Sequence, residues 1–89
     1  MQINYSKSAA KVINSLDKAT KLRIKQGIEG LTEAPPKGDI KMMQGFSPPL
    51  YRLRSGKYRV LYEYNTVGGN QVLMIKDVGS RGEIYKGRR

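Results

Sequence analysis

The chain has 89 residues, with 17 Lys plus Arg against 7 Asp plus Glu, a formal net charge of +10. One domain spanning residues 1–89 fits that length, and its core is too thin to enclose a large cofactor beside a packed interior, so none is expected. Cys and His are both absent, which excludes disulfides, thiolate metal sites and Cys nucleophiles and removes the usual neutral-pH acid–base group, so no metal is expected.

No apolar run approaches the ~18 residues that span a bilayer. Met1 to Lys11 lacks the apolar stretch of a signal peptide. The expectation is a cytoplasmic protein with no membrane partner. Its charge points to a polyanion or an acidic protein.

Gln2 to Tyr5 alternates polar and apolar residues and predicts a short strand. Ser6 is a good helix N-cap. Ala9, Val12, Ile13 and Leu16 follow at the spacing of one apolar helix face. Asp17 offers a second N-cap, and Leu22, Ile24, Ile28 and Leu31 continue the helical pattern. Gly27 and Gly30 each cost a helix ~1 kcal/mol relative to Ala, which predicts close packing against a neighbour. Pro35-Pro36 and Gly38 bar the helix from continuing.

From Leu50 the period changes to two. Leu50 to Arg54 and Lys57 to Tyr64 each alternate, with Ser55-Gly56 as a two-residue turn between them. Asn65 to Asn70 reads as a hairpin loop, and Gln71 to Val78 as a strong strand. Gly79 to Arg89 is a polar, basic tail containing Ile84-Tyr85. The predicted order is β-α-α-β-β-β, a single small α+β domain. An N-terminal strand and a helical hairpin pack on one face of an antiparallel sheet.

A Ser55-Gly56 turn would pair Arg54 with Lys57, Leu53 with Tyr58, Arg52 with Arg59, and Tyr51 with Val60. Side chains alternate across a sheet. Tyr51, Leu53, Tyr58, Val60, Tyr62 and Tyr64 then share the core face. Arg52, Arg54, Lys57 and Arg59 share the other. Like charges opposed across a ladder cost a few tenths to ~1 kcal/mol per pair. Folding alone gives no reason to set two such pairs side by side, whereas an anion offsets the repulsion. Guanidinium groups fork onto phosphate oxygens in strong charge-assisted hydrogen bonds. The competing explanation is a solvated basic face that serves only solubility and edge protection. The tail adds Arg81, Lys86, Arg88 and Arg89 around Tyr85, a set able to hold a nucleic-acid backbone while the ring stacks on a base. Equally, Ile84 and Tyr85 could simply dock on the body.

The run Tyr51-Arg52-Leu53-Arg54-Ser55-Gly56-Lys57-Tyr58-Arg59-Val60-Leu61-Tyr62 is followed by Val78-Gly79-Ser80-Arg81 and Glu83-Ile84-Tyr85. With Tyr5-Ser6-Lys7 at the start, these motifs resemble the RelE/ParE superfamily of toxins from bacterial type II toxin–antitoxin systems, over nearly the whole chain. The resemblance implies, in the RelE branch, a ribosome-dependent endoribonuclease that cleaves mRNA in the ribosomal A site without metal. The RNA's own 2′-OH attacks the adjacent phosphate, leaving a 2′,3′-cyclic phosphate and a 5′-OH.

Carried over by motif position, the catalytic set is Arg52, Arg59, Arg81 and Tyr85. Arg52 and Arg59 would hold the scissile phosphate, Arg81 would lie near the leaving 5′ oxygen, and Tyr85 near the attacking hydroxyl or stacked on a base. Arg54, Lys57, Lys86, Arg88 and Arg89 would bind RNA. Leu50 stands where relatives often carry a second basic residue before Arg52, which reduces the cationic set. An unperturbed Tyr titrates at ~10 and Arg above 12. Either the pocket shifts Tyr85 strongly or catalysis is mostly electrostatic.

The implied partners are mRNA, the ribosome and a cognate antitoxin protein. Two other functions remain open on the same residues. One is a ParE-like inhibitor of DNA gyrase, which needs no active site. The other is a non-catalytic RNA-binding domain, for which phosphate contacts alone explain the charge.

Overall fold

The computed structural model describes residues 1–80. The elements run β1 (Gln2–Tyr5), α1 (Lys7–Ser15), α2 (Lys18–Gly30), β2 (Asp39–Met43), β3 (Leu50–Ser55), β4 (Tyr58–Val67) and β5 (Asn70–Ser80). The five strands form one sheet in the order β1-β5-β4-β3-β2. The α+β layering and the strand–helix–helix–strands order agree with the sequence reading. Two features add to it. Asp39–Met43 forms a further edge strand, β2, and β1 lies parallel to β5, so the sheet is mixed.

Both helix starts follow from their caps. Ser6 Oγ accepts from the Ala9 N–H at 3.1 Å and donates to the Lys76 carbonyl at 2.7 Å, tying α1 to β5 as it begins. Asp17 Oδ2 accepts from the Thr20 N–H at 3.1 Å and opens α2. Ala9 and Ile13 of α1 and Ile24 and Ile28 of α2 are fully buried. Leu22, expected on the apolar face, is instead 58% exposed. Gly27 provides the expected close packing, since a Cβ there would stand 3.3 Å from Leu53 Cδ2.

Helix α1 packs over β5 and α2 over β3. Beneath them lies the core of Leu31, Leu53, Val60, Tyr62, Leu73, Ile75 and Val78 with the buried helix residues. Leu73 and Ile75 are odd-numbered and Val78 is even. A bulge reconciles them. Tyr62 pairs with Ile75 and Leu61 with Asp77, so Lys76 is the extra residue and the side chains beyond it exchange faces. Among the described residues, no helix is long and apolar enough to cross a membrane.

The β3–β4 turn sits one residue later than predicted. Ser55 pairs with Tyr58, which leaves Gly56-Lys57 as the two central residues. Gly56 has φ +60° and, among the described residues, no non-glycine residue has positive φ. This is the II′ arrangement, with glycine first. The predicted Ser55-Gly56 turn would put Gly56 second and require Ser55 at positive φ in either hairpin turn type.

Candidate functional site

Sliding a two-residue turn by one position moves every pairing but preserves which residues share a face. The predicted faces therefore hold for the paired residues, Lys57 in the turn apart, while the predicted partners change. Arg54 faces Arg59, Arg52 faces Leu61, and Tyr51 faces Tyr62. On the other side of β3, Asp39 faces Arg54, Lys41 faces Arg52, and Met43 faces Leu50. Two like-charge pairs still stand side by side. They are Arg54 with Arg59 and Lys41 with Arg52, spread over three strands on the face turned away from the helices.

The two central arginines are not ordinary surface cations. Arg59 is 5% exposed, and the Arg52 side chain 16%. The Nε–H of each is buried without a hydrogen-bond partner. Leaving a buried donor unsatisfied costs ~1–3 kcal/mol. Arg52 Nη2 meets Asp39 Oδ1 at a long 3.4 Å, and that carboxylate is mostly exposed. Two other carboxylates share this face. Glu63 is engaged by Lys76 Nζ at 3.5 Å, and Asp77 Oδ1 accepts from the Val78 N–H at 3.0 Å. Among the described residues, no ion pair joins Lys41, Arg54 or Arg59. Gly79, opposite Arg59, contributes no side chain beside it.

Leu50 and Leu61 are buried at the middle of this face, with Met43 against them. Leu50 thus serves a small apolar cluster at the point where the resemblance implied a cation. On the opposite face, beneath the arginines, the Tyr51 and Tyr62 rings stack at 5.4 Å, and Tyr64 meets both edge-on at 5.9 and 5.7 Å. The Tyr64 hydroxyl donates to the Leu31 carbonyl at 2.8 Å. This aromatic knot locks β3 to β4 and so fixes the spacing of the arginine rows. Burial first, then the neighbouring Tyr64 and Tyr51, push the Tyr62 hydroxyl well above the usual tyrosine range.

Of the residues expected from sequence, the fold brings Arg52, Arg54 and Arg59 together. Lys57 sits in the turn, its amine 5.7 Å from the centre of the Tyr58 ring. Tyr58 belongs to the helix-bearing face, so Lys57 leaves the row predicted for it. Arg81, Tyr85, Lys86, Arg88 and Arg89 lie outside the described residues.

Two cations were not foreseen. One is Lys41 on β2. The alternation Asp39-Ile40-Lys41-Met42 directly after Gly38 was its available signal. The other is Arg23 of α2, whose Nη1 lies 3.7 Å from where a Cβ on Gly56 would stand, at the β3–β4 turn. A concavity of about 570 Å³ lies near Met1, Val67 and Asn70, away from the arginines. A smaller cleft of about 260 Å³ adjoins Arg52 and is lined by Lys41, Met42, Met43 and Gln44.

This arrangement can bind an anion. Guanidiniums held by a sheet, with desolvated donors lacking partners, provide prepaid orientation for phosphate oxygens.

Comparison with known proteins agrees with the fold. A family profile described as the ParE toxin of the type II toxin–antitoxin system parDE matches residues 3–85. A chain of the archaeal RelE–RelB complex from Pyrococcus horikoshii OT3 is similar, at 30% identity over 91% of this chain and 94% of that one, with a TM-score of 0.70. A chain of the RelB–RelE complex from Methanococcus jannaschii is 27% identical over 97% and 99%, with a TM-score of 0.72. The isolated E. coli RelE toxin shares the fold, at 21% identity over 97% and 92% and a TM-score of 0.70. Among curated protein sequences there is no match. With nearly its whole length matched by the family profile, the chain belongs to the ParE toxin family of the RelE/ParE superfamily and is a toxin of a type II toxin–antitoxin system.

Proposed function

We propose that this toxin is a ribosome-dependent endoribonuclease that cuts mRNA in the A site. The observation that carries the reading is the cluster of Arg52, Arg54 and Arg59, with buried, unpartnered Nε donors on Arg52 and Arg59. A gyrase-binding surface has no need of desolvated, unsatisfied guanidiniums. A phosphate in transit between two charge states does. The 30% identity to a chain of an archaeal RelE–RelB complex supports the same branch.

In the reaction, the 2′ oxygen forms a bond to the adjacent phosphorus and the P–O5′ bond breaks. The 2′ proton is lost and the 5′ oxygen gains one. The nucleophile is tethered, so the protein supplies orientation and charge stabilisation. Arg52 and Arg59 hold the non-bridging oxygens as charge builds. Arg81 serves the leaving oxygen, and Tyr85 serves the attacking hydroxyl or stacks on a base. Arg54, Lys86, Arg88 and Arg89 hold flanking phosphates. No step calls on a metal ion. The expected setting is the cytoplasm, with a cognate antitoxin that covers the cationic face and neutralises it, as electrostatic complementarity favours.

Purified protein added to translating ribosomes tests this. Cleavage of the mRNA is expected, with an Arg59→Ala, Arg81→Ala double variant inactive. Intact mRNA at concentrations that stop translation would contradict it.

The family profile, named for ParE, favours a second reading, inhibition of DNA gyrase. Stalled gyrase–DNA cleavage complexes in a supercoiling assay, with mRNA left whole, would establish that reading.

A further inference from the structure

We propose that Lys41 is an RNA-binding residue of this site. It contacts the phosphate next to the one held by Arg52 and Arg59, across the cleft it shares with Arg52. The proposal rests on the RNA-binding reading above and extends it to a strand that carries none of the implied site residues.

Three observations converge on Lys41. The β2–β3 register sets it directly opposite Arg52, on the same face as Arg54 and Arg59. It lines the cleft of about 260 Å³ together with Met43, Gln44 and Arg52. It is exposed and, among the described residues, joined to no carboxylate, although Asp39 lies two residues away on the same face and engages Arg52 instead.

Leu50, which faces Met43, supplies no charge to this side of Arg52. Lys41 supplies it from the neighbouring strand. The line Arg59–Arg52–Lys41 runs from β4 across β3 to β2. Arg59 stands opposite Arg54, two residues along β3 from Arg52. With two strand spacings of ~4.8 Å across and ~6.7 Å along the strand, the line extends about 12 Å. That is longer than one phosphate group and suits two successive ones. The two arginines grip one with planar forks, and the lysine meets the next as a point charge.

A simpler account would make Lys41 an edge guard, since lysines on edge strands deter pairing with other chains. The two accounts differ in what RNA affinity does. Each phosphate contact on a single strand contributes about 0.7 to the slope of log K against log salt. Removing one contact therefore weakens binding about fivefold at 0.1 M salt, the value of 0.1 raised to the power −0.7.

The test uses the full chain and a short single-stranded RNA with 2′-O-methyl groups, which lacks the attacking hydroxyl. Fluorescence anisotropy is followed across a salt titration for wild type, Lys41→Ala, Lys41→Arg and Arg52→Ala. The expected result is a fivefold loss and a slope about 0.7 shallower for Lys41→Ala, rescue by Lys41→Arg, and unchanged melting temperatures for both Lys41 variants. If Arg52→Ala weakens binding while Lys41→Ala matches wild type at every salt concentration, the Lys41 proposal is overturned and the RNA reading stands. If wild type itself shows no salt-dependent binding, the RNA reading is overturned and this proposal with it.

Discussion

If the arginine pair is kept for a ligand, removing its charge should make the fold more stable. Arg59→Met is the informative change. Met preserves the unbranched stem that packs in a site only 5% exposed. It removes a buried Nε–H with no partner, worth ~1–3 kcal/mol. It also removes the charge opposed to Arg54 across the ladder, worth a few tenths to ~1 kcal/mol. Imperfect packing of the methyl group takes back part of that, about 0.5–1 kcal/mol.

The net gain expected is about 1–3 kcal/mol, within the ~1–4 kcal/mol seen when buried charge is replaced by apolar groups of similar size. For a domain of this size each kcal/mol moves the melting temperature by about 4–8 °C, so a rise of about 4–24 °C is expected. Calorimetry in a phosphate-free buffer is the assay, because a bound anion would stabilise wild type by mass action and mask the difference. Adding inorganic phosphate should then raise the wild-type midpoint more than that of Arg59→Met. A lower midpoint for Arg59→Met would mean that Arg59 supports the fold, and the inference from its missing partner would be refuted.

Gly38 has φ +129°, and a Cβ there would sit 2.7 Å from Leu53 Cδ1. Gly38→Ala should cost about 2–3 kcal/mol in urea unfolding, while Gly45→Ala, strained at φ +81° but with open space around it, should cost about 1 kcal/mol. Burial holds Tyr62 above the usual tyrosine range, so the folded state keeps its proton where the unfolded chain ionises. That contribution is complete below about pH 10 and is lost as pH rises further. Tyr62→Phe should therefore flatten the decline of stability between about pH 10 and 11. An unchanged slope would count against this burial effect. Ser6→Ala removes both the α1 cap and the bond to the Lys76 carbonyl, with an expected loss of about 1–2 kcal/mol in denaturant titration.

What could be read in the sequence was what parity and local chemistry decide. The caps at Ser6 and Asp17 act within three residues and were legible. The division of Tyr51, Leu53, Val60 and Tyr62 from Arg52, Arg54 and Arg59 survived a one-residue error in the turn, because alternation does not depend on where the turn lies. The partners did depend on it, through the positive φ of Gly56. Strand β2 escaped notice because an edge strand of Asp39 to Met43 buries little and, among the described residues, has one neighbouring strand, β3. Lys41 went unseen with it. The burial of Arg59 could not be inferred at all, since nothing local to its sequence distinguishes it from the exposed Arg54. Arg81 and Tyr85 were readable only through the resemblance and lie outside the described residues.

The most direct test of the central claim is to map mRNA 5′ ends after a brief induction of the toxin, with Arg59→Met induced in parallel. New 5′-hydroxyl ends inside codons of translated messages, absent with Arg59→Met, are the result expected. Translated messages left without new ends while growth stops would contradict the claim that this cationic face cuts RNA.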